Sequence, residues 1–281
     1  MISAETLAVA CGLGSAIVWG AGDFAGGFAT RRANALTVIF FSQLIGGTLL
    51  LAAAALFASG IPTGQHMLFA GLAGIFGVMG LIGLYRGLAS GRMGLVAPLS
   101  AIVTAIVPLL FSMVTEGYPG HLRLAGFATG MAAVWLLSSP GGKLTVKPGE
   151  LKLSLFAGLG FGLFFIFMGA ASDQVVLWPL VAARGSAILF MLFILLSTRQ
   201  MTVPPRGQIG LIALAGILDT TGNAAFGMAA HFGRLDIAAV LASLYPASTV
   251  LLAWLILRER LGGRQWFGVS VAAVALVLIA A

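Results

Sequence analysis

Residues 233–268 read GRLDIAAVLASLYPASTVLLAWLILRERLGGRQWFG, an apolar run of membrane length that Tyr245-Pro246 interrupts and three charged residues close. Residues 91–126 read GRMGLVAPLSAIVTAIVPLLFSMVTEGYPGHLRLAG, nearly the same pattern 142 residues earlier. The matching positions are Gly91-Arg92 with Gly233-Arg234, Gly74 with Gly216, Gly80 with Gly222, and Gly126 with Gly268. Repetition at this period predicts a duplicated membrane unit.

The composition is that of a membrane protein. Apolar residues make up 60% of the chain and charged residues only 8%, whereas soluble globular domains are about 25% charged. The net charge of +7 comes from basic residues that lie singly or in pairs between apolar runs. They form no patch with interleaved aromatic residues, so we expect the lipid bilayer as a partner and no nucleic acid.

Apolar runs long enough to cross a bilayer recur along the whole chain. We predict an all-α membrane protein with ten transmembrane helices. The predicted spans are 5–28, 35–58, 67–89, 94–114, 121–138, 152–172, 176–198, 208–230, 235–257 and 264–281. The first has no basic region before it, so we interpret it as a span and not as a cleaved leader. The polar interval 139–152 separates two units of five, residues 1–140 and 150–281.

A unit of five spans determines the symmetry. Because five is odd, the second copy enters from the opposite side of the membrane, which predicts two inverted five-helix repeats. Such an arrangement places a polar pocket between the halves, halfway through the lipid, where it can open alternately to each side.

The basic residues of the loops also bear on orientation. Loops after odd-numbered spans hold Arg31, Arg32, Arg86, Arg92, Lys143, Lys147, Lys152, Arg199, Arg206, Arg258, Arg260 and Arg264. The other loops hold only Arg123 and Arg234. The positive-inside rule therefore favours both termini outside the cell.

Several short motifs resemble a known family. Leu-Tyr-Pro-Ala (244–247), Arg-Glu-Arg-Leu (258–261) and Gln-Trp-Phe-Gly (265–268) resemble the EamA-type repeat of the drug/metabolite transporter superfamily. So do Trp19-Gly20, residues 160–165 (GFGLFF) and Trp178-Pro179-Leu180 with Arg184. The resemblance covers nearly the whole chain and recurs in both halves.

The resemblance implies ten helices in two inverted repeats around a central cavity, and export or uptake of small metabolites or amino acids. It also implies a multi-pass protein of the plasma (inner) membrane, a monomer or homodimer, with both termini in the cytoplasm. This last implication opposes the loop charges and leaves the orientation open. The first repeat departs from the pattern, with Thr-Glu-Gly (115–117) where the second has Arg-Glu-Arg.

Trp19 and Asp23 are four residues apart and therefore share one face of the first predicted helix. A carboxylate at lipid depth usually faces the bundle interior or a water-filled cavity. The alternative is an interfacial Asp23 beside Arg31-Arg32, with Trp19 in the aromatic belt. Both interpretations are open from sequence.

Asp219 lies well inside the eighth predicted span. It accompanies a stripe of small and polar residues: Gly216, Thr220, Asn223 and Gly227. Such a stripe lines an aqueous path or joins helices by hydrogen bonds. We predict that Asp219 couples transport to protons. The alternatives are a permanent structural pair with an arginine, and a shallow position.

Arg184 lies about one third into the seventh span, at the place that Gln43 holds in the first repeat. An arginine at that depth is paired, solvated in a cavity or snorkelling. Our hypothesis is that Arg184 faces the cavity and pairs with Asp23, Asp219 or a substrate carboxylate, and we place Gln43 in the same cavity.

Prolines mark the helices that the resemblance sets against the cavity, the fourth and the ninth. Pro246 frees a backbone carbonyl near Ala242, with Ser243 and Tyr245 beside the break, and Pro98 lies in the fourth span. These residues are candidates for the cavity, as is Tyr85 at the end of the third span; each proline has the alternative role of a kink or hinge alone.

We expect no catalytic residues, no cofactor and no metal site, because the three histidines have no shared spacing and no nucleotide-binding loop is present. The first hypothesis is a secondary active transporter that moves a small metabolite, an amino acid or similar amphipathic solute, with export as the favoured direction and protons as a possible coupling ion. The alternatives are an intramembrane enzyme acting on a lipid-linked substrate and a non-transporting membrane partner subunit.

Overall fold

A computed structural model of the chain describes residues 3–58, 60, 63–89, 93–138, 148–172, 175–257 and 262–280. In these ranges the chain is helical and contains no strand. The α-helices are α1 (Ala4–Thr30), α2 (Ala35–Phe57), α3 (Gly64–Ala89), α4 (Met93–Thr115), α5 (His121–Ser138), α6 (Pro148–Ala171), α7 (Leu177–Ser197), α8 (Ile209–Phe232), α9 (Leu235–Ala242), α10 (Tyr245–Leu257) and α11 (Gly263–Ala280). Arg258-Glu259-Arg260, Gly91-Arg92 and the interval 139–147 lie outside the described residues.

Six segments are long and apolar enough to cross a membrane. They are Ala4–Thr30, Ala35–Phe57, Gly64–Gly87, Pro148–Ala171, Leu177–Ser197 and Arg206–Phe232, and each coincides with a predicted span. Shorter apolar helices lie at Leu99–Thr115 and Leu235–Thr249. Large apolar side chains such as Val114, Leu189 and Phe193 are exposed on the outside of the bundle, where lipid is the solvent that suits them.

Capping side chains fix the starts of the first two helices. Ser3 Oγ accepts a hydrogen bond from the Thr6 amide (3.1 Å), and Asn34 Oδ1 accepts one from the Leu36 amide (2.9 Å). Both residues have extended backbones before the helix begins. These bonds satisfy amides that have no partner within the helix.

The predicted ninth span is two helices, α9 and α10, joined by a turn at Ser243-Leu244. Pro246 has no N–H to donate to the Ala242 carbonyl four residues earlier, so the hydrogen bond that would carry one helix through this point is absent. It stands instead in the first turn of α10, where a missing N–H costs nothing. The predicted interruption is therefore present, and the turn lies just before the proline.

The helices of one half of the chain pack on helices of the other half, and the contacts occur in equivalent pairs. Helix α1 packs on α8 and α6 packs on α3; α2 also packs on α8, and α7 on α3. Helix α4 contacts α6, and α9 and α10 contact α1, while α5 packs along α11. If α1 to α5 are replaced in order by α6, α7, α8, α9 with α10, and α11, and the reverse, the same set of pairs results.

Two glycines allow the closest of these contacts. A Cβ at Gly74 would overlap the Ala183 carbonyl of α7, and a Cβ at Gly216 would overlap the Ser42 carbonyl of α2. Small residues let membrane helices approach closely, because lipid provides no hydrophobic driving force between them. Gly74 and Gly216 are matching positions of the internal repeat, and each contacts the opposite half of the chain.

Ion pairs join the helix ends on one face of the bundle. Arg123 lies 2.6 Å from Glu5, and both side chains are partly exposed. Arg234 binds Asp236 at 2.9 Å, lies 3.7 Å from Glu116, and donates to the Glu116 and Gly117 carbonyls. Asp236 is fully buried. These contacts hold the α4–α5 turn against the start of α9.

Candidate functional site

A cavity lies halfway along the bundle, between helices of both halves. It contains about 680 Å³ of space free of atoms, counting the part open to solvent. Its walls come from α1, α2, α3, α4, α6, α7, α8 and the start of α10. The lining residues are Trp19, Asp23, Gln43, Gly74, Gly77, Val78, Leu81, Thr104, Phe161, Phe164, Phe165, Met168, Leu180, Ala183, Arg184, Ala187, Asp219, Asn223 and Tyr245.

Arg184 and Asp219 form an ion pair in the cavity wall. Arg184 Nη2 lies 2.6 Å from Asp219 Oδ2, in a geometry too bent for a hydrogen bond. Gln43 bridges the two, because its Oε1 accepts a hydrogen bond from Arg184 Nη1 and its Nε2 donates to Asp219 Oδ2 at 3.3 Å. Arg184 is buried and Asp219 is about one quarter exposed. Three helices thus hold one cation beside one carboxylate.

Asp23 is the second carboxylate of the cavity. It lies one helical turn after Trp19 on α1, and it is close enough to Asp219 for the two charges to repel. Within the described part of the chain, Asp23 makes no hydrogen bond and no ion pair. Its charge therefore faces the cavity without a protein counter-ion.

Trp19 joins the polar and aromatic walls. Its Nε1 donates a hydrogen bond to the Asp219 carbonyl (3.2 Å), which ties α1 to α8. Its ring stacks on Phe165 with centroids 5.6 Å apart and contacts Phe226 at 5.8 Å. Phe165 and Phe226 themselves stack at 4.3 Å. Aromatic pairs in these geometries are stabilising, so the packed rings form one apolar wall.

Tyr245 enters the cavity at the break between α9 and α10. Its hydroxyl lies 3.3 Å from Ser100 Oγ of α4. Thr104, one turn further along α4, donates to the Ser100 carbonyl and lines the same cavity. The broken helix and α4 therefore meet across a small group of hydroxyls.

Seven of the eleven candidate residues are brought together here. They are Trp19, Asp23, Gln43, Arg184, Asp219, Asn223 and Tyr245. Asp23 and Asp219 share one cavity, and the partner of Arg184 is Asp219. The side chain of Pro98 in α4 lies outside the described part of the structure.

The other three candidates are buried beside the cavity. Tyr85 places its hydroxyl against Gly26 of α1, one turn beyond Asp23. Ser243 donates to the Val240 carbonyl at 2.7 Å, and Pro246 is buried in the first turn of α10. Among the described residues, these three are not part of the cavity wall.

The sequence analysis did not single out the aromatic wall of α6. Phe161, Phe164, Phe165 and Met168 follow one another at spacings of three, one and three residues, which places them on one helix face. Gly74 and Gly77 of α3 line the cavity too, within a run of glycines at every third residue from Gly71 to Gly83 that indicates close helix packing first and a functional role second. The spacing of the α6 residues places them on one face, but α6 is apolar on its other faces too, so the spacing alone does not identify this face as the cavity wall.

The histidines have separate partners. His66 bonds Thr63 (2.6 Å), His121 bonds Tyr118 (2.7 Å) and His231 bonds the Ser172 carbonyl (3.0 Å). Across the described ranges no group of three or more His, Cys, Asp or Glu residues is arranged to hold a metal ion.

Comparison with known proteins identifies a family. The model of the EamA-like transporter family matches residues 6–139 and matches again at residues 149–281. A comparison with curated proteins gave no match. One similar solved structure, described only as the crystal structure of a protein, is 18% identical with a TM-score of 0.75 and covers 97% of each chain. At that identity the likeness concerns the fold alone.

Proposed function

The chain belongs to the EamA-like transporter family, and from this premise we propose that it is a secondary active transporter that exports a small amphipathic metabolite. The observation that supports this most directly is the cavity, which is halfway along the bundle and is lined by charged residues from both halves. Family members are membrane transporters. A multi-pass position in the membrane agrees with the six long apolar helices; the plasma membrane is our proposal.

We propose ten transmembrane helices in two inverted repeats, residues 1–140 and 150–281, with α9 and α10 together counted as one span. Support comes from the exchange of partners: α1 with α8 in one place, α6 with α3 in the other. The equivalent glycines Gly74 and Gly216 each approach the opposite repeat. Two like halves related by a two-fold axis would produce such a pattern.

Alternating access would move the halves about the cavity. The turn at Ser243-Leu244 divides a wall helix just where it reaches the cavity, and a few residues at the end of an element commonly absorb a hinge motion. We propose this turn as a hinge. Pro246 then acts through the break that it imposes, and Tyr245 moves with α10.

Proton coupling is the finer part of the proposal. Asp219 is held by Arg184 and Gln43, so proton binding at its carboxylate would weaken a contact that joins α7 and α8 to α2. A carboxylate that exchanges a proton while the helices rearrange can link solute movement to a pH gradient. The solute would be an amino acid or a similar molecule with charged and apolar parts.

Flux into proteoliposomes tests the function. The purified chain would be reconstituted and a panel of small metabolites followed, with and without a pH gradient. We expect flux of at least one solute above empty liposomes, driven by the gradient, and we expect Asp219→Asn to retain exchange while losing the proton drive. Absence of flux for the whole panel would support a non-transporting partner subunit instead.

A further inference from the structure

The charges that line the cavity do not balance. Its ionised side chains are one arginine, Arg184, and two carboxylates, Asp23 and Asp219. Arg184 is already engaged by Asp219 at 2.6 Å and by Gln43. The cavity therefore has one net negative charge when all three groups are ionised, and that charge is located at Asp23.

A lone carboxyl at this depth either takes up a proton or pairs with a cation. Ionised groups removed from bulk water are stable only when they are paired or solvated. Asp23 is partly buried and has no cationic partner among the described residues. A proton or a cationic solute in the cavity can supply the missing positive charge.

The surroundings of Asp23 suit an organic cation. Trp19, one turn away on α1, lines the same cavity with Phe161, Phe164, Phe165 and Tyr245. Aromatic faces attract ammonium groups, and they bury the apolar part of a solute at the same time. A zwitterion or an anion would have to displace Asp219 from Arg184, whereas an amine would displace nothing.

We propose that the transported solute is an amphipathic amine, whose ammonium group binds Asp23 and whose apolar part contacts the aromatic wall formed by Trp19 and the α6 phenylalanines. The proposal rests on the proposed transport function. Among solutes with charged and apolar parts, it selects a cationic amine over a zwitterionic amino acid. It separates the roles of the two carboxylates: Asp219 balances Arg184, and Asp23 recognises the solute.

Three probes test the proposal: 2-phenylethylamine, 2-phenylethanol and 3-phenylpropionate, which share a phenylethyl group and carry an ammonium, a hydroxyl and a carboxylate head group at neutral pH. Binding to the purified full-length chain would be measured by calorimetry at neutral pH. We expect the amine to bind at least about tenfold more tightly than the alcohol, a difference of about 1.4 kcal/mol. Equal or tighter binding of the alcohol or of the propionate would overturn the proposal.

Variants of Asp23 test whether this residue causes the preference for the amine over the alcohol. Asp23→Asn should bind the amine and the alcohol equally, while Asp23→Glu should keep the preference for the amine. Glu5→Gln is the matched control, because it removes a carboxylate from the same helix at an exposed position. Unchanged affinity for the alcohol in Asp23→Asn would show an intact cavity. A preference for the amine that survives Asp23→Asn would contradict the assignment.

Flux of the same probes separates this proposal from the transport function. Amine binding that depends on Asp23 without any flux would retain the recognition site and reject transport. Flux of 3-phenylpropionate or phenylalanine in preference to the amine would retain transport and reject the amine.

Discussion

Gln43 and Arg184 lie 141 residues apart, within one residue of the 142-residue period of the internal repeat, and their side chains are hydrogen bonded to each other in the cavity wall. Both also contact Asp219 of α8. The contact therefore joins the second helix of each half and recruits a third. The first half has glutamine here and the second half has arginine, and this arginine is the cation of the cavity wall.

Removing that cation should leave Asp219 without its partner. We predict that Arg184→Gln lowers transport and changes its pH dependence. Its unfolding free energy in detergent should fall by about 3 kcal/mol, because an unpaired charge remains in a buried wall. Thermal unfolding of the purified variant measures the stability, and proteoliposome flux measures the function. Unaltered flux and pH dependence would remove Arg184 from the site.

The double variant Arg184→Gln/Asp219→Asn measures the direct interaction between these two side chains. With both charges absent, the stability should recover by roughly 1–3 kcal/mol relative to the single variant. Additive losses in the double-mutant cycle would contradict a direct interaction between these two side chains.

Two glycines of α3 give a matched test of helix packing. Gly74→Ala should destabilise the protein and lower its yield, since the new methyl group would meet the Ala183 carbonyl; an overpacked contact costs about 1–3 kcal/mol. Gly71→Ala, one turn earlier, has open space and should be tolerated. Equal effects of the two substitutions on the melting temperature would argue against the close approach of α3 to α7.

Trp19 should report occupancy of the cavity. The chain has five tryptophans, and among them Trp19 lines the cavity. We predict that a bound solute changes the intrinsic fluorescence, and that Trp19→Phe abolishes this change while Trp266→Phe, at an exposed position of α11, retains it. Loss of the hydrogen bond to the Asp219 carbonyl should also lower the unfolding free energy by about 1 kcal/mol. A signal that persists in Trp19→Phe would place the solute elsewhere.

Arg234 should matter more for stability than Arg123. Arg234→Gln leaves the fully buried Asp236 without its cation, at a cost of about 3 kcal/mol. Arg123→Gln breaks a pair whose members are 24% and 58% exposed, which costs about 0.2–1 kcal/mol.

The hydrogen bond with Asp236 raises the pKa of Arg234. A raised pKa adds stability at every pH below the ordinary arginine value, so the contribution should stay constant across neutral pH. Similar melting temperatures for the two variants would refute the ranking.

The sequence predicts much of this fold because apolar length and turn residues are local signals. Six predicted spans coincide with long apolar helices, and Pro246 correctly predicts an interruption. The turn at Ser243-Leu244 is harder to locate, since the proline prevents one hydrogen bond but does not determine which neighbouring residues form the turn.

The polar part of the site could also be predicted from sequence, because a charged residue at lipid depth usually faces the bundle interior or a water-filled cavity. Asp23, Arg184 and Asp219 all line the cavity. The phenylalanines of α6 were not, since a membrane helix is apolar on its lipid face and on its inner face, and no contrast identifies the inner one. Tyr85 shows the converse: a polar end on a glycine-rich helix packs against Gly26 and does not line the cavity.

Access to the cavity from both sides of the membrane is the central claim, and cysteine labelling measures it directly. Cys11 is the only cysteine of the chain, so Cys11→Ser gives a background for Leu81→Cys, at a partly exposed position of the cavity wall, and for Leu189→Cys on the outer surface. A membrane-impermeant maleimide would be added to right-side-out vesicles and, separately, to inverted vesicles. Alternating access predicts that Leu81→Cys reacts in both preparations and Leu189→Cys in neither. Reaction of Leu81→Cys from one side alone, or from neither, would contradict it.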